Sequence, residues 1–356
     1  MVEVARQPTA QLRNPSRLRH RLTGLFAVSE IGVLTAVVLI SLVFYAIQPA
    51  FLAGQNIRAI FSFVSFVGII AIGEAVLLIV GELDLSVGSI AGLGAISTGK
   101  LMAGAGLPVW LAIAGGLLLG ALIGLINGLI VVRLKIPAFI QTLGMLFIGQ
   151  GLIQVITNGY PVYPLPDAIG DFGQQPVIFG LGWSFVFFVL LAIAADLVLR
   201  RTVLGRNIYA TGGNAEVARL VGINSDAYKI GAFVLVAVLA TLAGIFVMAD
   251  LASGTPSIGQ GWELNVIAGV VVGGISLFGG AGTIVGALCG MLLLQVLQSG
   301  LVVIGVGANW QQIAVGTIMV VAVGLDLLRR RVFIAGQGRG EGETIVGATT
   351  GPIDAA

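Results

Sequence analysis

The chain has 356 residues, of which 57% are hydrophobic and only 10% charged, against about 25% charged in an ordinary soluble domain. So few charges cannot cover a water-facing surface, and most of the molecule must be solvated by lipid. A formal charge of +2 gives no argument for nucleic acid, while a single cysteine, Cys289, and a single histidine, His20, exclude an internal disulfide and a Cys/His metal site.

An apolar run of about 20 residues crosses about 30 Å of hydrocarbon at about 1.5 Å per residue. Ten such runs are legible: Phe26 to Ile47, Phe61 to Val80, Leu85 to Ala103, Val109 to Val132, Ala138 to Ile156, Trp183 to Leu199, Ile230 to Ala249, Leu264 to Phe278, Ile284 to Ile304 and Trp310 to Leu328. The eighth is short and the second and third nearly touch. All should be helical, because unpaired backbone is not tolerated in lipid. The first run, 22 residues long, exceeds the h-region of a signal peptide (about 7–15 residues) and reads as a retained span. The expected division is therefore a basic N-terminal segment at 1–25, a transmembrane domain at 26–331 and a loose tail at 332–356, rich in Gly, Thr and Ala.

Basic residues fix the expected orientation, since Lys and Arg are retained in the cytoplasm. Arg6, Arg13, Arg17, Arg19 and Arg21 precede the first span, and Arg133 and Lys135 follow the fourth. Arg200, Arg201, Arg206, Arg219 and Lys229 follow the sixth, and Arg329, Arg330, Arg331 and Arg339 lie past the tenth. Ten spans with both termini inside put all of these in the cytoplasm and leave only Arg58 and Lys100 elsewhere. The links at 158–182 and 250–263 contain no Lys or Arg, as translocated loops should.

Glycine accounts for 53 residues, about twice the usual share of about 7%. Gly115, Gly116, Gly120, Gly124 and Gly128 read as a helix-packing surface. Gly273, Gly274, Gly279, Gly280 and Gly282 break the eighth span or form a tight turn. Glu82-Leu-Asp84-Leu is echoed by Glu263-Leu-Asn265-Val, and Gly120-Ala-Leu-Ile-Gly124 by Gly286-Ala-Leu-Cys-Gly290. Both echoes are five spans apart, an odd number, which suggests an inverted repeat.

Chemistry of its own is not legible. The closest approach to a phosphate loop, Gly94 to Lys100, is followed by Leu101 where Ser or Thr must hold magnesium, and it lies on an apolar helix rather than after a strand. No nucleophile elbow occurs, and His20 in a basic leader cannot serve a triad. No catalytic residue, metal or cofactor is expected on this chain.

Polar groups inside apolar runs stand out instead, because each is costly there. Glu74 falls within the second span, as a solute or proton site or as a neutral, hydrogen-bonded acid. Glu82, Asp84 and Ser86 lie at a glycine-flanked junction where Asp84 and Ser86 can cap the start of the third span. Asn127, Gln141, Gln150, Gln154, Gln295 and Gln298 can join helices or offer hydrogen bonds to a neutral polyol. The link at 200–229 is the most informative segment. Asn214 suits an N-cap, Glu216 the positive start of a helix, Arg219 its later turn and Gly222 its end. The helix carries Val217, Leu220 and Val221, which need cover from the protein's own membrane face or from a partner.

Three ordered stretches then carry a resemblance. Gly81-Glu-Leu-Asp84-Leu-Ser86-Val-Gly88-Ser resembles the signature Gly-x-Ile-Asp-Leu-Ser-Val-Gly-Ser of the membrane permease subunits of ATP-binding-cassette (ABC) importers for monosaccharides, the ribose, xylose and arabinose group. Leu204 through Asn214 to Arg219-Leu-Val-Gly222-Ile-Asn224 is similar to that family's cytoplasmic coupling segment. Gly261-Trp-Glu263-Leu-Asn265 through Gly280 is similar to its late glycine-rich motif. The similarity runs from about residue 30 to 328, and Glu74, Glu82 and Asn265 depart from residues common in the family.

The resemblance implies an all-α integral membrane protein of about ten helices with a type II importer-like bundle, in a bacterial inner membrane. It implies a homodimer of permeases, cytosolic ABC ATPases that bind ATP and magnesium, and a periplasmic sugar-binding protein. ATPase coupling would fall to Arg206, Asn214, Glu216, Arg219 and Gly222. Glu74, Glu82, Asp84, Ser86, Asn127, Gln141, Glu263 and Asn265 are the candidates for the translocation pathway. The alternatives are a proton-coupled carrier using Glu74 and an ABC permease for branched-chain amino acids.

Overall fold

Each of the ten apolar runs meets a helix, in a computed structural model that describes residues 29–307, 309–318, 320, 321 and 324. The basic segment at 1–25, the arginines at 329–331 and 339 and the tail at 332–356 lie outside the described residues. In chain order the helices are α1 (Ser29–Ile47), α2 (Gly54–Ile79), α3 (Val87–Ala103), α4 (Val109–Arg133), α5 (Ala138–Thr157), α6 (Asp167–Gln174), α7 (Trp183–Arg201), α8 (Val203–Gly213), α9 (Ala215–Leu220), α10 (Ser225–Asp250), α11 (Trp262–Val272) and α12 (Ile284–Val303). A further helical stretch covers 309–318. Among the described residues the only strand-like pairings are two isolated bridges, Val162 with Gly254 and Ile178 with Leu181.

Seven of these helices are long and apolar enough to cross a membrane. The runs expected as the third and eighth spans are shorter: α3 has 17 residues and α11 has 11, about 25 Å and about 16 Å. The reason is local. Each follows a stretch of irregular backbone, residues 81–86 before α3 and 252–261 before α11, and α11 stops at the turn of Gly273-Gly274. The link at 158–182 contains the helix α6, and the link at 200–229 contains α8 as well as the expected α9.

The 26-residue helices α2 and α10 form the buried centre, and α10 packs against α2, α3 and α4. Lipid-tail contact cannot drive such packing, so backbones must approach closely. A Cβ on Gly244 of α10 would strike the Ala91 backbone of α3, and one on Gly124 of α4 would lie 2.5 Å from the Phe233 carbonyl oxygen of α10. The neighbours repeat in a pattern. α4 lies on α3 and α10; α12 lies on α11 and α2; α3 touches α10 as α11 touches α2. Exchanging α2 with α10, α3 with α11 and α4 with α12 leaves this list unchanged, as an inverted repeat requires.

The ends of the bundle differ in character. At one end Gly128 of α4 meets Ile230 of α10, Gly212 of α8 meets Ile79 of α2, and Arg133, Arg200, Arg201 and Arg206 gather. At the other, α6 closes over the bundle with Gly173 against Ala249, and the 252–261 segment turns inward along α3, from Ile96 to Gly88. Outward positions of α1, α4, α5 and α7 are apolar and exposed, such as Leu39, Leu118, Val155 and Leu190, which suits lipid. The chain is a multi-pass, all-α membrane protein.

Replacing Gly124 with Val should lower the midpoint of thermal unfolding in detergent, since overpacking a tight contact costs about 1–3 kcal/mol. The same change at Gly144, where a Cβ meets nothing, should leave the midpoint near that of the parent.

Candidate functional site: two broken helices and a coupling segment

Between α2 and α3 the backbone leaves helical geometry, with Gly81 at φ 93°. Helix-free backbone at this depth must find partners within the protein, and side chains from two helices and from the segment itself supply them. Glu74 of α2 accepts the Asp84 amide at 3.1 Å, and Thr142 of α5 accepts the Leu85 amide at 3.0 Å. Asp84 Oδ1 accepts both the amide and the hydroxyl of Ser86, at 2.7 and 2.5 Å. Asn127 of α4 donates to Ser86 Oγ at 3.1 Å and to Asp84 Oδ2 at 3.4 Å, and accepts from Gln141 Nε2 of α5 at 3.2 Å. Glu74, Asp84, Ser86, Asn127 and Thr142 are all fully buried.

Five sequence candidates thus form one cluster: Glu74, Asp84, Ser86, Asn127 and Gln141. The expected capping of α3 is half met. Asp84 takes the Ser86 amide, but the Ser86 hydroxyl turns back to Asp84 and caps no helix amide. Glu82 stands apart, paired with Lys229 at the start of α10 at 2.5 Å. Thr142 and Lys229 were not among the candidates; their partners are 57 and 147 residues away in sequence, so no local pattern announces them.

The second break lies before α11. Gly259 and Gly261 have φ of 83° and 76°, and the segment turns in to meet the first break. A Cβ on Gly88 would collide with Glu263 Oε2 and the Gly259 carbonyl, so the starts of α3 and α11 touch through backbone. Glu263 is buried, and its Oε2 has no hydrogen-bond partner among the described residues. Asn265 donates to the Gly261 carbonyl at 3.2 Å and accepts from Gln298 of α12 at 2.9 Å.

Two cavities flank this second break. One, of about 470 Å³, is lined by Gly88, Ser89, Gln150, Gln154, Gly259 and Gln260, among others. The other, of about 570 Å³, is lined by Gln260, Asn265, Gln298, Gln311 and Gln312 together with small and apolar residues. Gln260 belongs to both, and among the described residues no charged side chain lines either. Gln150, Gln154 and Gln298 come from the amides singled out in sequence. Gln260, Gln311 and Gln312 do not, because they lie outside the apolar runs or at their edge.

At the arginine-bearing end, α8 opens on Thr202, whose Oγ1 accepts the Gly205 amide at 3.2 Å. Asn214 ends α8 and caps α9 as expected, accepting the Glu216 and Val217 amides at 3.0 and 3.1 Å, and Gly222 follows at φ 87°. Arg219 pairs with Asp226 of α10 at 3.0 Å, while Arg206 and Glu216 are exposed. Ala218 alone faces the bundle; Val217, Leu220 and Val221 are 54%, 86% and 71% exposed, so the protein's own surface does not cover them. Tyr209 of α8 donates its hydroxyl to the Gly282 carbonyl at 2.7 Å, and burial raises its pKa, which keeps the proton in place.

Asn127→Leu should expose the interdependence of the first break. It removes the partner of Asp84 Oδ2 and of the Gln141 amide and leaves Ser86 bonded to Asp84 alone, at about 1–3 kcal/mol per unpaired buried group, so unfolding in detergent should shift to clearly lower temperature. An unshifted midpoint would mean that water already reaches the cluster.

Residues 56–323 match the family described as branched-chain amino acid transport system / permease component. The ribose import permease protein RbsC of Escherichia coli is 37% identical over 314 residues, covering 86% of this chain and 96% of that protein. The autoinducer 2 import system permease protein LsrC of Photorhabdus luminescens is 36% identical over 301 residues, covering 83% and 89%. No solved structure matches. With seven helices long and apolar enough to cross a membrane, the chain belongs to the branched-chain amino acid transport system / permease component family, whose relatives above are named as transport components.

Proposed function

We propose that this chain is the membrane-spanning permease subunit of an ABC importer in a bacterial inner membrane and that its solute is a monosaccharide. The observation that carries the reading is α9. Val217, Leu220 and Val221 form an uncovered apolar turn at the end of the bundle that gathers the arginines, which by the distribution of Lys and Arg is the cytoplasmic end. Both termini then lie inside. A cytosolic ATPase seated on 200–229 covers that turn, with Arg206, Asn214, Glu216, Arg219 and Gly222 shaping the contact. ATP and magnesium belong to that partner. At the other end, Tyr160, Tyr163 and Phe179 stand exposed and suit the docking of a binding protein that delivers the solute.

The lining of the two cavities supports a sugar over an amino acid. A free amino acid brings an ammonium and a carboxylate, which resist desolvation without charged partners. Glutamine and asparagine amides both donate and accept, which matches the hydroxyls of a neutral polyol. These amides sit on the outer surface of one chain at membrane depth, where polar groups face protein or water rather than lipid. A second copy of the chain encloses them, and the pathway runs between the copies past Glu263, Asn265 and the cluster of Glu74, Asp84, Ser86, Asn127 and Gln141. The relatives named for ribose and autoinducer 2 import agree with this class.

Leu220→Asp with Val221→Asp should leave the permease folded in the membrane, release the ATPase from membrane fractions and lower uptake of labelled ribose at least tenfold. A protonophore should leave parental uptake unchanged, and labelled leucine should not enter. Ribose uptake that survives the double change, or that dies with the protonophore alone, would overturn the proposal in favour of a proton-coupled carrier built on Glu74.

A further inference from the structure

The contacts of α8 reach beyond its role as a link. Gly212 is wedged between the two halves of the bundle: a Cβ there would overlap the Ile79 carbonyl of α2 and lie 2.7 Å from the Gly280 amide. That amide donates to the same Ile79 carbonyl at 2.8 Å. A Cβ on Gly279 would lie 2.7 Å from the Gly212 carbonyl and 2.9 Å from Gly81 Cα. Three backbones, from α8, from the turn before α3 and from the turn after α11, therefore stack without side chains between them.

Side chains tie the stack on either side. One turn before Gly212, Tyr209 holds the Gly282 carbonyl at 2.7 Å. Asn207 donates to Tyr228 of α10 at 2.7 Å, and the next residue, Lys229, pairs with Glu82 of the first turn. The Lys229–Glu82 pair is 21% and 13% exposed, dry enough for breaking it to matter. α9 follows α8 directly through Asn214, and Ser225 at the start of α10 donates to the Ala215 carbonyl of α9 at 3.2 Å.

We propose that α8 is a bolt that joins the turns at 81–86 and 273–282 into one body, so that a force delivered at α9 moves both turns together. Tyr209 is the positioning residue for the later turn, and the Lys229–Glu82 pair is the positioning contact for the earlier one. The proposal deepens the reading of α9 as the face that meets an ATPase and rests on it for the source of the force; the locking itself depends only on this chain. Two independent gates would need two separate linkages, and the stacked glycines leave no room for relative sliding without opening the contact at Ile79.

Hydrogen exchange on the full-length chain in lipid nanodiscs tests the locking without any partner or solute. Tyr209→Phe removes one hydroxyl and one bond, to Gly282. If the turns are locked, amides of both 273–283 and 81–88 should exchange faster, by about fivefold, the scale of one hydrogen bond, while those of α4 stay unchanged. Acceleration confined to 273–283 overturns the bolt. In vesicles carrying the permease with its ATPase and binding protein, Glu82→Lys and Lys229→Glu should each lower labelled ribose moved per ATP hydrolysed at least threefold, and the double exchange should recover most of it. A double exchange no better than either single change overturns the role of the pair. Failure of the parental vesicles to accumulate ribose would count against the solute assignment, and the exchange pattern would still decide the bolt.

Discussion

A peptide group in hydrocarbon has no water to bond, so every interruption of a helix at membrane depth needs an internal partner for each amide it frees. The two interruptions here meet that demand differently. The segment at 81–86 is served by side chains reaching in from α2, α4 and α5, through Glu74, Asn127 and Thr142. The segment at 252–261 is served more by its own turns and by backbone, with Gly254 paired to Val162 and Gln260 to Ser257. A bundle of unbroken helices would be simpler to stabilise. The breaks persist at a cost that the well-packed centre of α2 and α10 does not bear.

Glycine makes the arrangement sterically achievable. At Gly244 and Gly124 it lets helices meet backbone to backbone; at Gly88 it lets the start of α3 reach the 259–263 segment. The exchange symmetry of the contacts means that the same packing solution is used twice, and α8 lies against both the turn before α3 and the turn after α11. The family relationship fits this architecture, and the relatives named as import permeases cover nearly the same length of chain.

Much of this was legible in the sequence because it is written in local patterns. Ten apolar runs marked ten helices, Asn214 and Gly222 marked the limits of α9, the glycine-flanked junction at Glu82 to Ser86 marked the first break, and Gly273 and Gly274 marked the end of α11. What escaped is non-local or geometric. α8 has a Thr202 cap but no strong apolar periodicity, and it ends in Gly212-Gly213, which reads as loop. Thr142 and Lys229 are ordinary residues until the fold brings them to Leu85 and Glu82. Glu82, a candidate for the pathway, is paired with Lys229 at the start of α10, a partner that no local pattern announces.

The uncharged lining around Gln260 has a consequence for how such a system diversifies. A neutral hydrogen bond nets only about 0.5–1.5 kcal/mol, so on the proposed reading a passage furnished with amides would hold its cargo briefly and distinguish poorly among similar cargoes. Selection must then be exercised by whatever presents the solute at the outer mouth. A change of receptor alone would be enough to redirect the importer, leaving this chain free to keep its sequence while the diet of the cell changes around it.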